Sequence, residues 1–279
     1  MIYVNINGKF ITSEKATLHI TNKAFRYGDG FFETIRIVND TIPLWLYHQA
    51  RILNTLQILN GGFVKTVNNI MLHDLILQLA KKNKLVNARV RLSFYRGYGG
   101  LTDFSSNIFE FIIEAFALQE GNFELNNNGL QLGCYNSHKK ISGALSNVKA
   151  SSAQIYSLVA QYTKTEKLND AFVLNENNEI VDTTIANIFI VKNNIIYTPN
   201  IASGAVVGCM RNYILANYTK SKIIEKPLHI VDIETADEVF LTNAILGVRW
   251  VKNYKQFSYT PLIALDIYNT LIKPLFNTN

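Results

Sequence analysis

The 279-residue chain is 48% hydrophobic and 17% charged, enough apolar material for one large core or two smaller ones, and it has no run of about 18 apolar residues that would cross a membrane. Its net charge of +6 is scattered, with His138-Lys139-Lys140 the nearest thing to a cluster, so no nucleic-acid partner is expected. Two cysteines, Cys134 and Cys209, make no disulfide framework and fit a reducing cytoplasm.

The N-terminus reads as strand, turn and strand, not as a signal peptide, which needs a basic start and an apolar block. Residues 2–6 and 9–13 alternate around Asn7-Gly8, a pair that tolerates positive φ and marks a hairpin. The next strand covers 31–38 and turns at Asn39-Asp40. Helical spacing follows over 44–59, where Leu46, Ile52, Leu53, Leu56 and Leu59 form one apolar stripe. A second helix is predicted over 67–84, then strands over 88–95 and 108–116 flanking a glycine-rich stretch at 97–100.

Residues 117–129 are polar and turn-rich, which places a domain boundary there. The division is an N-terminal α/β domain at 1–118, a linker at 119–128 and a larger domain at 129–279. Beyond the linker come a strand (130–135), a helix (150–163) and strands at 170–175, 186–191 and 194–197. A helix at 208–220, a strand at 238–242 and a last helix at 261–275 complete the chain. Helices and strands in segregated groups give an α+β (mixed α/β) fold in two lobes, not a doubly wound sheet.

Several short strings carry polar chemistry. His48-x-x-Arg51 sets two side chains one helical turn apart, able to share a face, and a guanidinium fork matches phosphate oxygens. Gly208-Cys-Met-Arg211 opens a helix, whose free N–H groups and dipole favour an anion. Thr242, Asn243 and the amide of Ala244 follow a strand and can donate hydrogen bonds. Lys149 precedes a helix, and taken alone it reads as a solvated surface residue. Asp182, five residues ahead of Asn187, taken alone is a turn acid. No Walker A string, zinc-type Cys/His spacing or Gly-x-Ser-x-Gly elbow occurs.

Taken in order, these strings resemble the fold-type IV pyridoxal-phosphate (PLP) enzymes, which include branched-chain and D-amino-acid aminotransferases and 4-amino-4-deoxychorismate lyase. Tyr27-Gly-Asp-Gly-Phe-Phe-Glu-Thr-Ile-Arg36 is the most recognisable of them, similar to the family's F/Y-G-D-G-x-F/Y-E-x-x-R segment. The resemblance implies a D-amino-acid aminotransferase-like fold with the cofactor cleft between lobes. It also implies PLP as cofactor and a homodimer acting on a small amino-group-bearing carboxylate. Lys149 is then the Schiff-base lysine and later the proton shuttle, ranked above Lys139 and Lys140. Arg51 is implied as the phosphate anchor, with His48 bracing its helix. The amides of Cys209 and Met210, with Thr242, Asn243 and Ala244, are implied at the phosphate or close by. Asp182 is implied at the pyridine nitrogen, where most members carry Glu; Glu179 points to the opposite strand face.

Phe94-Tyr-Arg96-Gly-Tyr-Gly-Gly100-Leu101 is close to the lyase pattern S-R-G-x-G-G-R-G, with Leu101 in place of the second arginine. That exchange removes a bidentate carboxylate clamp. Phe32, Arg96 and Thr242 are the expected substrate-pocket residues. Lyase chemistry, yielding 4-aminobenzoate and pyruvate, is favoured by the Arg-Gly-x-Gly-Gly and Thr-Asn-Ala strings. Transamination of a small or branched amino acid is kept open by Leu101 and Phe32. A third reading is a homologue that binds PLP without turnover, for which Asp182 and the missing arginine argue.

Overall fold

A computed structural model of the chain describes residues 1–63, 69–103, 107–118 and 123–277. They fall into two compact units, Met1–Asn122 with Lys149–Ser152, and Phe123–Val148 with Ala153–Asn277.

In the first unit, Asn7 and Gly8 take φ of 52° and 89°, so the chain reverses in two residues. β1 (Tyr3–Ile6) and β2 (Lys9–Thr12) pair antiparallel across that turn. A short helix α1 (Lys23–Tyr27), which the sequence reading did not foresee, leads into β3 (Gly30–Ile37). α2 (Trp45–Ile58), β4 (Gly62–Phe63), α3 (Asn69–Lys82), β5 (Ala88–Arg96) and β6 (Ile108–Ala117) follow. The expected start of the second helix at residue 67 lies outside the described residues. The sheet runs β2-β1-β6-β5-β3, with β4 beside β6. β6 alternates cleanly, burying Phe109, Phe111, Ile113 and Ala115, and Phe31, Ile35, Val90, Leu92 and Phe94 complete that side of the core.

The stripe expected on α2 is corrected. Leu46 is 75% exposed and Leu53 46% exposed, while His48, Arg51, Ile52, Thr55 and Leu56 are buried. The buried set keeps the i, i+3, i+4, i+7, i+8 period of an amphipathic helix. Three of its members are polar, and two of them, His48 and Arg51, meet Glu33 on β3.

The second unit holds β7 (Leu130–Lys140), α4 (Gln154–Thr165), β8 (Asp170–Asn175), β9 (Ile180–Asp182), β10 (Asn187–Lys192) and β11 (Ile195–Thr198). It continues with α5 (Cys209–Asn217), β12 (Ile223–Glu225), β13 (Glu238–Asn243), β14 (Gly247–Tyr254) and β15 (Phe257–Ser258). Their order is β12-β11-β10-β13-β14-β7-β8-β9, with β15 on β14. β8 is buried along its whole length and β10 along all but its last residue, as expected of strands covered on both faces. The final helical run, Ile263 to Phe276, widens to a π-helical turn over Tyr268–Ile272.

Two boundaries of the second unit differ from the sequence reading by four residues or more. β7 extends to Lys140, five residues past its expected end. α4 starts at Gln154 and not at 150, because the preceding residues are engaged with β3: Ala150 forms a bridge to Phe31. Of the expected linker, residues 119–122 lie outside the described residues. Phe123 packs edge-on against Phe276, and Asn126 brackets the backbone of Trp250 through both ends of its amide.

Candidate active site

In the first unit, the turn from α1 into β3 fixes the backbone around Lys149. α1 ends on Gly28, whose φ of 66° is left-handed and costs an L side chain. Gly30 lies so close to the next strand that a Cβ there would sit 2.4 Å from the Phe94 carbonyl oxygen. Along the free edge of β3, Ser151 N donates to Gly30 O at 2.9 Å and Phe32 N donates to Lys149 O at 3.0 Å. With its backbone so held, Lys149 sets Nζ 4.6 Å from the centre of the Phe32 ring.

Arg91 reaches the same ring, with Cζ 3.9 Å from its centre, while its Nε donates to Ser93 Oγ at 3.1 Å. Register pairs Phe32 with Ser93 and Thr34 with Arg91, so all four share one face of the sheet. Burial lowers the pKa of this guanidinium and the nearby Glu114 opposes that. The sequence reading missed Arg91. Its signal lay in the period of β5, where 91 and 93 fall out of phase with the buried residues 90, 92 and 94.

Glu33 alternates to the opposite face of β3 and is buried there. Arg51 grips it with two nitrogens, Nε at 2.7 Å from Oε1 and Nη2 at 2.5 Å from Oε2, and His48 Nδ1 lies 2.7 Å from Oε2. Burial alone would raise the Glu33 carboxyl; the Arg51 charge, its hydrogen bonds and those of His48 outweigh that and bring it down to about 2. His48 and Arg51 thus share a face as their spacing predicts.

Arg96 is held within the unit. It donates to the Leu59 carbonyl oxygen and to Asp29 Oδ2 at 3.4 Å, and stacks on Phe109 at 4.9 Å. Leu101, in the place of the lyase arginine, is 68% exposed.

In the second unit, Asp182 closes β9 and is buried. Its Oδ2 accepts from Tyr156 OH at 2.8 Å, Lys140 Nζ at 3.1 Å and Val206 N at 3.2 Å; its Oδ1 accepts from Asn187 Nδ2 at 3.1 Å. Asn187 also donates to Val206 O at 2.8 Å, locking the approach to α5. Gly208 caps α5, and a Cβ there would lie 1.7 Å from Asn187 Oδ1. Cys209 and Met210 follow, both buried, and their amides lie in the first turn of α5. Arg211 points away, donating to Pro199 O at 2.8 Å and Glu225 Oε2 at 2.5 Å.

Thr242 is the register partner of Asn187. Its Oγ1 is buried and makes no hydrogen bond among the described residues. Asn243 Oδ1 accepts from the amides of Ile245 and Leu246 at 3.0 and 2.8 Å, shaping the turn that carries Ala244. The expected residues of this unit therefore gather at the ends of β9, β10 and β13 and the start of α5. Tyr156 was not foreseen, and Lys140 figured only as a rival to Lys149.

A family model described as amino-transferase class IV matches residues 30–254. The chain belongs to the class IV aminotransferase family. It is 28% identical over 242 residues to an aminodeoxychorismate lyase of Vibrio harveyi, covering 81% of this chain and 83% of that one. It is 24% identical over 255 residues to a branched-chain-amino-acid aminotransferase of Pseudomonas aeruginosa, covering 87% and 81%. Its fold superimposes on the crystal structure of a branched-chain aminotransferase from Thermoproteus uzoniensis with a TM-score of 0.89, at 18% identity, covering 100% of this chain and 96% of that one. The α+β class IV fold expected from the motifs is the fold found, and the chain is an enzyme of this PLP-dependent family.

Proposed function

We propose that this class IV enzyme is a PLP-dependent lyase that releases pyruvate from 4-amino-4-deoxychorismate and leaves 4-aminobenzoate. The observation that carries this choice is the Thr242-Asn243-Ala244 turn. It has the lyase wording, and Asn243 is committed to shaping it through two backbone amides. The Arg96 to Gly100 string and the 28% identity to a named lyase support the same choice.

The residues present fit PLP. Thr242 Oγ1 is a buried hydroxyl with a hydrogen bond to give, and the amides of Cys209 and Met210 open a helix, as an anion requires. Among the described residues Asp182 Oδ1 accepts one bond where a carboxylate oxygen takes about two, so it has capacity for a ring N–H. When bound, PLP supplies an electron sink for the bond broken at the substrate Cα. Lys149 would hold the cofactor through Nζ, and the same amine would move the proton at the reacting carbon. In the first unit Arg51, oriented by Glu33, would be the guanidinium for the phosphate; in the second, Thr242, Asn243 and the amides of Cys209, Met210 and Ala244 would be its donors. Asp182 would keep the proton on the ring nitrogen. Phe32 forms a flat apolar wall, and Arg91 beside it offers a guanidinium to a substrate carboxylate in place of the arginine that Leu101 lacks.

One observation favours a second reading, transamination of a small or branched amino acid: Leu101 carries no charge where the lyase pattern has a clamp. The PLP-loaded protein, mixed separately with D-alanine, L-leucine and 4-amino-4-deoxychorismate, separates the two by its near-UV/visible spectrum. The lyase reading expects only the aminodeoxychorismate to react, the cofactor band recovering as pyruvate appears. Conversion to the pyridoxamine form by an amino acid makes the enzyme an aminotransferase of that handedness. A cofactor band that none of the three perturbs supports a homologue that binds PLP without turnover. The reading carries with it a homodimer, checked by light scattering, and a cytoplasmic location. No helix among the described residues is long and apolar enough to cross a membrane.

A further inference from the structure

Four donors converge on Asp182, and they are divided unequally. Among the described residues, Tyr156 OH, Lys140 Nζ and Val206 N all reach Oδ2, at 2.8, 3.1 and 3.2 Å, whereas Oδ1 receives Asn187 Nδ2 alone, at 3.1 Å. Lys140 Nζ also donates to Tyr156 OH at 2.8 Å, which closes a ring of three side chains. The three come from separate elements: Lys140 ends β7, Tyr156 lies in the first turn of α4 and Asp182 ends β9. Lys140 is 11% exposed and Asp182 4% exposed in their side chains, so both charges are largely withdrawn from water. Burial and the Asp182 charge raise the Tyr156 hydroxyl well above its usual 10, so it stays a donor to the carboxylate.

A carboxylate offers about four acceptor positions, two on each oxygen. Here Oδ2 is saturated and cannot rotate out of its place without breaking three bonds. Oδ1 is left as the oxygen with capacity. We propose that Tyr156 and Lys140 are positioning residues that clamp Asp182 by Oδ2 and so present Oδ1 to the pyridine nitrogen of the cofactor. The clamp suits the shorter acid: with one methylene less than Glu, Asp182 has little freedom to find the nitrogen by swinging, and its direction must be set from behind. This inference rests on the reading of Asp182 as the ring-nitrogen partner.

The test uses full-length protein loaded with PLP labelled with 15N in the ring. Two quantities are read, the PLP dissociation constant and the 15N shift, which reports whether the ring nitrogen is protonated. Tyr156→Phe, Lys140→Met and, as the reference, Asp182→Asn are compared with the unaltered protein, and apo thermal unfolding confirms that each variant folds. Tyr156→Phe keeps the ring and changes no charge. It should weaken PLP binding roughly tenfold, the range of one charge-assisted hydrogen bond, and move the 15N signal toward unprotonated pyridine. Lys140→Met gives opposite signs for two explanations. Loss of a clamp loosens PLP and deprotonates the ring, whereas mere loss of a competing cation tightens the grip of the carboxylate on a pyridinium.

If Asp182→Asn moves both readings while Tyr156→Phe and Lys140→Met move neither, or if Lys140→Met tightens PLP, the clamp is overturned and the reading of Asp182 stands. If Asp182→Asn itself changes nothing, that reading fails and the clamp falls with it.

Discussion

Arg51 and Glu33 meet side-on, Nε 2.7 Å from one carboxylate oxygen and Nη2 2.5 Å from the other, on the buried face that α2 presents to β3. The pair explains why an amphipathic helix buries two cationic-type side chains and leaves Leu46 and Leu53 outside. A buried guanidinium is tolerated only when its partner and its hydrogen bonds come with it.

That pairing makes a pH prediction. The Glu33 carboxyl titrates at about 2 in the folded chain against 4.5 ordinarily, so the unfolded chain takes up its proton first as the pH falls. The contribution is complete above about pH 4.5 and is lost between there and about pH 2, a loss of roughly 3 kcal/mol in the first unit at most. Urea unfolding from pH 7 to 2.5 should show this decline in the unaltered chain. Glu33→Gln should be less stable at pH 7 and lack that part of the pH dependence.

Gly208 is required by space and not by backbone angle. Its φ of −73° suits any residue, yet a Cβ would lie 1.7 Å from Asn187 Oδ1. Gly208→Ala should push Asn187 off Asp182 and Val206, costing about 1–3 kcal/mol in thermal unfolding and weakening PLP. Gly100→Ala is the contrast, since no described residue lies within 4 Å of a Cβ there; its stability should stay within about 0.5 kcal/mol.

Arg91 should matter to the substrate more than to the fold. Arg91→Met keeps the apolar stem on Phe32 and removes the charge. The expected result is a KM raised roughly tenfold or more for a carboxylate substrate, with thermal stability little changed, as befits loss of one charge-assisted contact. An unchanged KM would show that the carboxylate is met elsewhere.

The motifs were legible where one residue type answers one need. Asn7-Gly8 announced its hairpin because few residues take positive φ, and His48-x-x-Arg51 announced a shared helix face because 3.6 residues make a turn. What period alone could not reveal was which side of α2 would be buried, because that was decided by Glu33, fifteen residues upstream in sequence. Lys140 and Tyr156 were unreadable for the same reason. Their meeting with Asp182 spans 42 and 26 residues and depends on how β7, α4 and β9 assemble. Arg91 lay in between, since its phase in β5 was visible while its partner Phe32 was not.

Lys149 as the covalent holder of PLP is the claim on which the rest depends, and borohydride reduction of the PLP-loaded protein followed by peptide mass spectrometry tests it most directly. The expected result is a stable pyridoxyl-phosphate mass on the peptide containing Lys149, and none on that residue's peptide in Lys149→Ala, which should also have lost turnover. A label on Lys139 or Lys140, or turnover that survives Lys149→Ala, would contradict it.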